Sequence, residues 1–211
     1  MTAAAPTSRR SARKAKGAGH QRRGEILEAA GRVFLVHGHH GATMRRIGEA
    51  AGLSTTALYK HFPDKDAILR EICQETLGEL LGRNVEIAAR PLDAADRVLA
   101  MLEAYMRWAL AHPQAYSLVY VSPTGRGMWS EGTTDLSRRA YEIYRDVVRE
   151  IAAAGRLRAG DPDAAAQATW MACHGVVALL IARPGFDWAP TEALIATVLH
   201  ALAGGLTAGG D

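Results

Sequence analysis

The sequence predicts an all-α protein of about nine helices, a small helix-turn-helix unit leading into a larger helical body. Three observations carry that reading. Ala, Leu, Glu and Arg are plentiful, aromatic residues are few and β-branched residues do not cluster, which favours helices over strands. Apolar residues recur at three- and four-residue spacing along most of the chain. The periodic runs are punctuated by Gly, Pro, Asp, Ser and Thr, the residues that stop and start helices. At 211 residues the chain is long enough to bury a sizeable core.

Residues 1–20 lack apolar periodicity, are rich in Ala, Ser, Gly, Lys and Arg, and are expected to be a disordered basic arm. Residues 21–66 form the helix-turn-helix domain. Ile26, Ala30, Val33 and Phe34 mark its first helix, about Arg22 to His37, with Gly38 as the stop. Thr43 can cap a second helix, about Met44 to Ala51, in which Gly48 permits close packing and after which Gly52 turns the chain. Ser54 can cap a third, running to about His61, with Leu58 and Phe62 spaced to bury together.

Residues 67–211 are expected to form an effector-binding and dimerisation domain. Pro63-Asp64 starts a long helix, about Lys65 to Ala89, with apolar Ile68, Ile72, Leu77, Leu80 and Leu81, which joins the two units. Asp93 opens the next helix, to His112, and Pro113 a short one ending near Val121. Residues 122–134 carry Pro123 and three glycines and read as a loop. A helix from Leu136 to Ala154 follows. Asp161-Pro162 starts a strongly apolar helix to Arg183, and Thr191 caps the last one, to about Leu206.

Charge is distributed unevenly. Through Phe62 there are 11 Lys or Arg against Glu25, Glu28 and Glu49, whereas the rest of the chain holds 14 basic and 19 acidic residues. A basic head on a mildly acidic body points to a polyanion partner for the head. Arg9, Arg10, Arg13, Lys14, Lys16, Arg22 and Arg23 precede the first acid and suit a flexible arm that touches phosphate. Cys73 and Cys173 have no metal-ligand spacing and are expected to be reduced thiols. The basic N-terminal residues are not followed by an apolar run, so no secretory signal is expected, and a cytoplasmic location is. Ala164 to Ala182 is long enough for a membrane span, but Gln167, Thr169 and His174 interrupt it, and a helix buried on two sides fits better.

A recognition helix must bury one side and leave the other free for the major groove. On a helical wheel drawn from Leu58, Phe62 lies about 40° away, while Thr56 and Lys60 lie about 160° and 200° away. Thr56, Tyr59 and Lys60 thus offer hydroxyl and ammonium donors on an outward face. The run Thr43-Met-Arg-Arg-Ile-Gly-Glu-Ala-Ala-Gly-Leu-Ser-Thr-Thr-Ala-Leu-Tyr-Lys-His-Phe-Pro-Asp-Lys65 resembles the DNA-binding domain of the tetracycline-repressor (TetR) family, and the resemblance in motif covers about 22 to 69. It implies a homodimer on a palindromic double-stranded operator, released when a small molecule occupies the C-terminal domain. It also implies DNA-facing roles for Thr55, Thr56, Tyr59, Lys60 and His61, helix 2 contacts from Thr43 and Arg45, and a phosphate contact from Lys65. Ser54 joins the candidate DNA-binding set, although capping alone explains it, as it does Thr43. Many members carry Gly at the position of Thr56, so the operator sequence does not transfer.

In the body, Trp170-Met-Ala-Cys-His-Gly175 resembles the Trp-His-Gly signature of one C-terminal domain type in that family. Trp170 and His174 are candidate ligand-binding residues, with Tyr105, Met106, Tyr116, Tyr120, Met128 and Trp129 as further walls for an apolar or aromatic effector. The plainer reading makes Trp170 core and His174 a hydrogen-bonded buried histidine. His37, His39 and His40 sit together without a carboxylate or thiolate cluster, so no metal site is expected. No cofactor is implied, and no phosphate-binding Gly loop, nucleophile elbow or His-Glu metal motif supports an enzyme. The competing function is an architectural DNA-binding protein without an effector. Dimerisation is expected through the last two helices, by Ala168, Ala172, Gly175, Leu179, Leu194, Val198, Ala201 and Leu202.

Overall fold

Three glycines with positive φ mark the places where helices stop. Gly38 (φ 64°), Gly52 (φ 64°) and Gly155 (φ 70°) adopt the left-handed backbone that other residues avoid. A computed structural model describes residues 18–121, 131–158 and 160–207. Among them the chain forms helices α1 Ala18–Gly41, α2 Met44–Ala50, α3 Thr55–Tyr59, α4 Lys65–Ala88, α5 Ala94–Ala111 and α6 Pro113–Tyr116, continued by a π turn at Ser117–Val121. After residue 130 come α7 Glu131–Ala153, α8 Pro162–Ala182 and α9 Thr191–Leu206. The described residues hold no strand beyond one isolated bridge, Leu157 to Thr207. The all-α reading of the sequence therefore holds.

Several boundaries differ from expectation. α1 begins at Ala18, so residues 18–20 of the expected arm are helical and the helix starts ahead of the expected Arg22; residues 1–17 lie outside the described residues. Gly38 is a kink (ψ 177°) after which one more turn runs to Gly41, because nothing in His39-His40 prevents the helix from restarting. α7 starts at Glu131, taking 131–134 from the expected loop, of which 122–130 lies outside the described residues. Thr191 is not a cap. Pro190 occupies that position without a side-chain hydrogen bond, and Thr191 is the first helical residue.

The other caps form as their residue types require. Side chains of Thr43, Ser54, Asp64, Asp93 and Asp161 accept hydrogen bonds from the amides of Arg46, Ala57, Ala67, Ala95 and Asp163. The turn between α2 and α3 is held by Gly48. Leu53 N donates to Gly48 O at 2.8 Å, and a Cβ on Gly48 would sit 2.9 Å from Leu53 O.

One continuous core runs through both units. Ile26, Ala30, Phe34, Ile47, Leu58, Phe62 and Ile68 close the N-terminal unit, and Leu77, Leu102, Met106, Val147, Val148 and Ile151 close the body. α4 belongs to both, touching α1 near one end and packing on α5 and α7 along the rest. Trp108 Nε1 donates to Thr76 O at 2.8 Å and Asn84 Nδ2 to Ala140 O at 3.0 Å, pinning α4 to α5 and α7.

α8 corrects an expectation. Only Ala165, Ala166, Thr169, Cys173 and Val177 are buried in it, all on one side. It is long and apolar enough to cross a membrane by length and composition, yet Ala168, Met171, Ala172, Gly175 and Leu179 are exposed. It is thus buried on one side within the chain, not two.

The Gly48 contact leads to a test. Gly48→Ala forces its Cβ against backbone that cannot swing away and should destabilise the protein by about 1–3 kcal/mol. Urea denaturation reads this as a lower midpoint with the slope unchanged. A midpoint equal to that of the parent protein would mean that the turn relaxes freely.

Candidate nucleic-acid interface and ligand cavity

The N-terminal unit holds α3 by its buried side. Leu58 is fully buried and Phe62 nearly so, while Thr56, Lys60 and Tyr59, which is 54% exposed, face solvent. Ser54 and Thr43 are exposed caps, and Thr55 and His61 are half-buried. Arg45 is exposed and pairs with Glu49 at 2.6 Å, one helical turn on. Such a surface pair is worth only a few tenths of a kcal/mol, about 0.3–0.5, so Arg45 is free to exchange it for another anion.

Lys65 sits differently from the phosphate contact expected of it. Its ammonium donates to His39 O at 2.6 Å and Ala42 O at 3.2 Å. These carbonyls lie after the Gly38 kink, where the backbone needs donors, so two of the three N–H groups of Lys65 serve the fold. Beside it His39 Nε2 lies 2.7 Å from Asp66 Oδ1. His37 and Arg46 are also neighbours, at 3.1 Å, and the described residues contain no His, Cys, Asp or Glu cluster that could hold a metal.

A residue of α1 that the sequence offers only as one of the basic charges before the first acid fastens α3. Arg23 NH1 donates to His61 O at 3.0 Å, its guanidinium lies 4.1 Å from the centre of the Phe62 ring, and its remaining nitrogens pair with both carboxylate oxygens of Glu71 in α4. The Glu71 hydrogen bonds, opposed by desolvation, hold the Arg23 pKa above its ordinary value. Forty-eight residues separate the partners, and no local spacing announces the pair.

In the body, α4, α5, α7 and α8 line a cavity of about 350 Å³ that is partly open to solvent. Tyr105, Tyr120 and Trp170 line it. Met106, Tyr116 and His174 do not. Met106 is fully buried, and the His174 ring packs behind the wall, its Nδ1 2.8 Å from the Tyr105 hydroxyl and its Nε2 3.2 Å from that of Tyr116. His174 thus follows the plainer reading, a hydrogen-bonded histidine that positions two tyrosines. Met128 and Trp129 lie outside the described residues. Sequence reasoning missed Asn84, Ser137, Arg138, Tyr141, Tyr144, Gln167 and Met171, which also line the cavity. Asn84 was the available signal, a polar residue in register with Leu77, Leu80 and Leu81 on the apolar face of α4.

Burial sets the protonation of this region. Desolvation raises the pKa of Tyr105 and Tyr120, pushes Tyr116 up to about 12 and lowers that of His174, so all four are neutral near pH 7. Burial also pushes both Cys73 and Cys173 up to about 12, which makes them unreactive thiols.

This geometry agrees with comparisons to known proteins. Residues 26–72 match the family described as bacterial regulatory proteins, tetR family, and residues 98–202 match the tetracyclin repressor-like C-terminal domain. The transcriptional repressor AcnR of Corynebacterium efficiens is 30% identical over 145 residues, 66% of this chain and 71% of that protein. The chain belongs to the tetR family. That family consists of transcriptional regulators, not enzymes. The activator FasR of Mycolicibacterium smegmatis is 31% identical over 100 residues, 47% of this chain and 46% of FasR, and the chain spans about half the length of the first such relatives it matches. The fold likeness extends to FadR of Bacillus subtilis, solved in complex with stearoyl-CoA, with a TM-score of 0.68, 19% identity, and 86% of this chain and 97% of FadR covered.

Two tests follow for a tetR-family chain with this arrangement. Lys65→Ala leaves two carbonyls short of a charged donor and should lower stability by roughly 1–2 kcal/mol. Lys60→Ala should change stability by less than about 0.5 kcal/mol. Equal urea midpoints for the two variants would return Lys65 to a purely DNA-facing role.

The second test uses pH. The folded-state pKa of His174 lies below its ordinary 6.5, so the unfolded chain binds more protons between those values. Its contribution to stability is complete above 6.5 and is lost as pH falls through the lowered value. His174→Gln should therefore flatten the acid side of the Tm against pH profile. A variant whose profile ran parallel to that of the parent protein down to pH 5 would assign the acid limb to other groups.

Proposed function

We propose that the protein is a ligand-responsive repressor that binds a palindromic DNA operator as a homodimer. The observation that carries this is the presentation of α3. Its buried side is anchored by Leu58, Phe62 and Arg23, and its free side offers Thr56, Tyr59 and Lys60 to a groove. Thr43, Arg45, Ser54, Thr55 and His61 complete the DNA-facing set, with Lys65 contributing at most its third N–H to a phosphate. Thr56 places a methyl and a hydroxyl where many relatives of this fold have Gly, and so contributes to base preference. A protein that acts on chromosomal DNA works in the cytoplasm.

Pairing is supported by the exposed apolar side of α8 together with Leu194, Val198, Ala201 and Leu202 of α9. Two such helices from each copy pack across a two-fold axis as a four-helix bundle, which covers the side of α8 left bare in a single chain. Two-fold symmetry then sets the recognition helices about 34 Å apart, one turn of DNA, or a multiple of it.

Ligand response favours this reading over an architectural role. The cavity wall contains Tyr120, on the π turn, and the short helix α6 just before it touches both α1 and α4. Filling the cavity shifts these contacts, tilts α4 and changes the spacing of the recognition helices. The effector must bind the released state more tightly than the DNA-bound one, since equal affinity shifts nothing.

Genome-wide footprinting tests the whole. A few palindromic sites are expected, and hundreds of dispersed ones would favour the architectural alternative. Light scattering at micromolar concentration is expected to give a dimer. Leu179→Glu, at a 52% exposed position, should give a folded monomer with operator affinity reduced at least tenfold. Full operator affinity in that monomer would overturn the assigned interface.

A further inference from the structure

The chemistry of the cavity wall specifies the kind of molecule it takes, an inference that rests on the cavity being the effector site. Aromatic faces dominate the wall, from Tyr105, Tyr120, Tyr141, Tyr144 and Trp170. Its one charged residue among those described is Arg138, which is exposed and already held by Asp135 and Glu142. Among the described residues that line the cavity, no buried cation is therefore available to a carboxylate or phosphate, and burying such a group unpaired is strongly unfavourable.

Most polar atoms of the wall are satisfied. The Tyr105 hydroxyl meets His174, Tyr120 meets Ser137 at 3.0 Å, and Tyr144 meets Thr169. Two exceptions remain among the described residues: the Tyr141 hydroxyl, which is buried without a partner but carries a proton of its own, and the amide of Asn84. Asn84 is 5% exposed, and its Nδ2 donates to Ala140 O, which fixes the amide orientation because a carbonyl only accepts. The Oδ1 of the same amide is buried without a hydrogen-bond partner among the described residues. A buried acceptor left unmade is a standing cost that a ligand carrying a donor removes.

We propose that the effector is an uncharged aromatic molecule with a hydroxyl or N–H group that donates to Asn84 Oδ1. This separates the protein from FadR of Bacillus subtilis, whose solved ligand, stearoyl-CoA, is a polyanion with a long chain. The aromatic walls hold the body of the ligand, and Asn84 selects for the donor. A site built around a hydrogen bond rejects the analogue that lacks it, because the buried acceptor is then again alone.

Calorimetry on the full chain tests this with 2-naphthol, 2-methoxynaphthalene, which keeps the rings and loses the donor, and decanoate, an apolar anion. The parent protein should bind 2-naphthol roughly tenfold tighter than 2-methoxynaphthalene. Asn84→Leu should erase that preference, so that the two naphthalenes bind equally, with Asn84→Met as the second variant if the first does not fold. Ala140→Leu, which extends a side chain into the cavity, should weaken both naphthalenes.

The contrary outcomes are distinct. If the two naphthalenes bind equally and Ala140→Leu weakens both, the cavity is a ligand site but the Asn84 inference fails. A preference for 2-naphthol that survives in both Asn84 variants also overturns the role of Asn84. Decanoate binding tighter than 2-naphthol overturns the uncharged class. Absence of naphthalene binding, or binding indifferent to Ala140→Leu, removes the cavity as effector site and the inference with it.

Discussion

The contact of Arg23 with Glu71, His61 O and the Phe62 ring is the joint on which the molecule depends. A five-residue helix has too few internal hydrogen bonds to hold itself, and α3 is that short. Leu58 and Phe62 bury its inner side, but apolar contact alone is not directional. The planar guanidinium supplies direction, since it meets a carboxylate with two parallel bonds while its face lies on an aromatic ring. It ties the end of the recognition segment to the second turn of α4. Lys65 performs the same service for the end of α1, so both neighbours of α3 are referenced to one long helix.

α4 then carries that reference into the body. Along its length an apolar seam from Ile68 through Leu77 and Leu80 to Ile87 is pinned at two points, the backbone carbonyl of Thr76 and the side chain of Asn84, whose partners lie in α5 and α7. Thr76 offers only its backbone carbonyl to Trp108, and its hydroxyl bonds back to Ile72 O within α4. Packing of this density does not deform continuously, and a change in the cavity is passed on as a shift of whole helices. The His174 cluster stiffens the side of the cavity away from α4, where three tyrosines and Trp170 converge on one imidazole.

Part of the exposed apolar surface lies along α8, at Met171 and Leu179. α8 is the most uniformly apolar long helix in the protein, yet buries one side only. Its composition alone fits a membrane span, a core helix or a subunit interface, and only the location of its buried side distinguishes them. Met171 at 63% and Leu179 at 52% exposure leave the outward stripe uncovered by the chain itself.

Local chemistry was legible in the sequence because it depends on neighbours along the chain. Helix periodicity, the caps at Thr43, Ser54, Asp64, Asp93 and Asp161, the stops at Gly38 and Gly52, and the amphipathic character of α3 all arise within a few residues of one another. The family motif compresses the same information. What only the tertiary structure decided are the long-range partnerships. The Arg23 pairing spans 48 residues, the Asn84 pin spans 56, and the Tyr105 contact with His174 spans 69. A guanidinium or an amide looks the same in sequence whether it meets solvent, a phosphate or a carbonyl from a distant helix. That choice placed Lys65 on the backbone, His174 behind the cavity wall and Asn84 within it, since a side chain's role is set by the groups that folding brings to it and not by its neighbours in the chain.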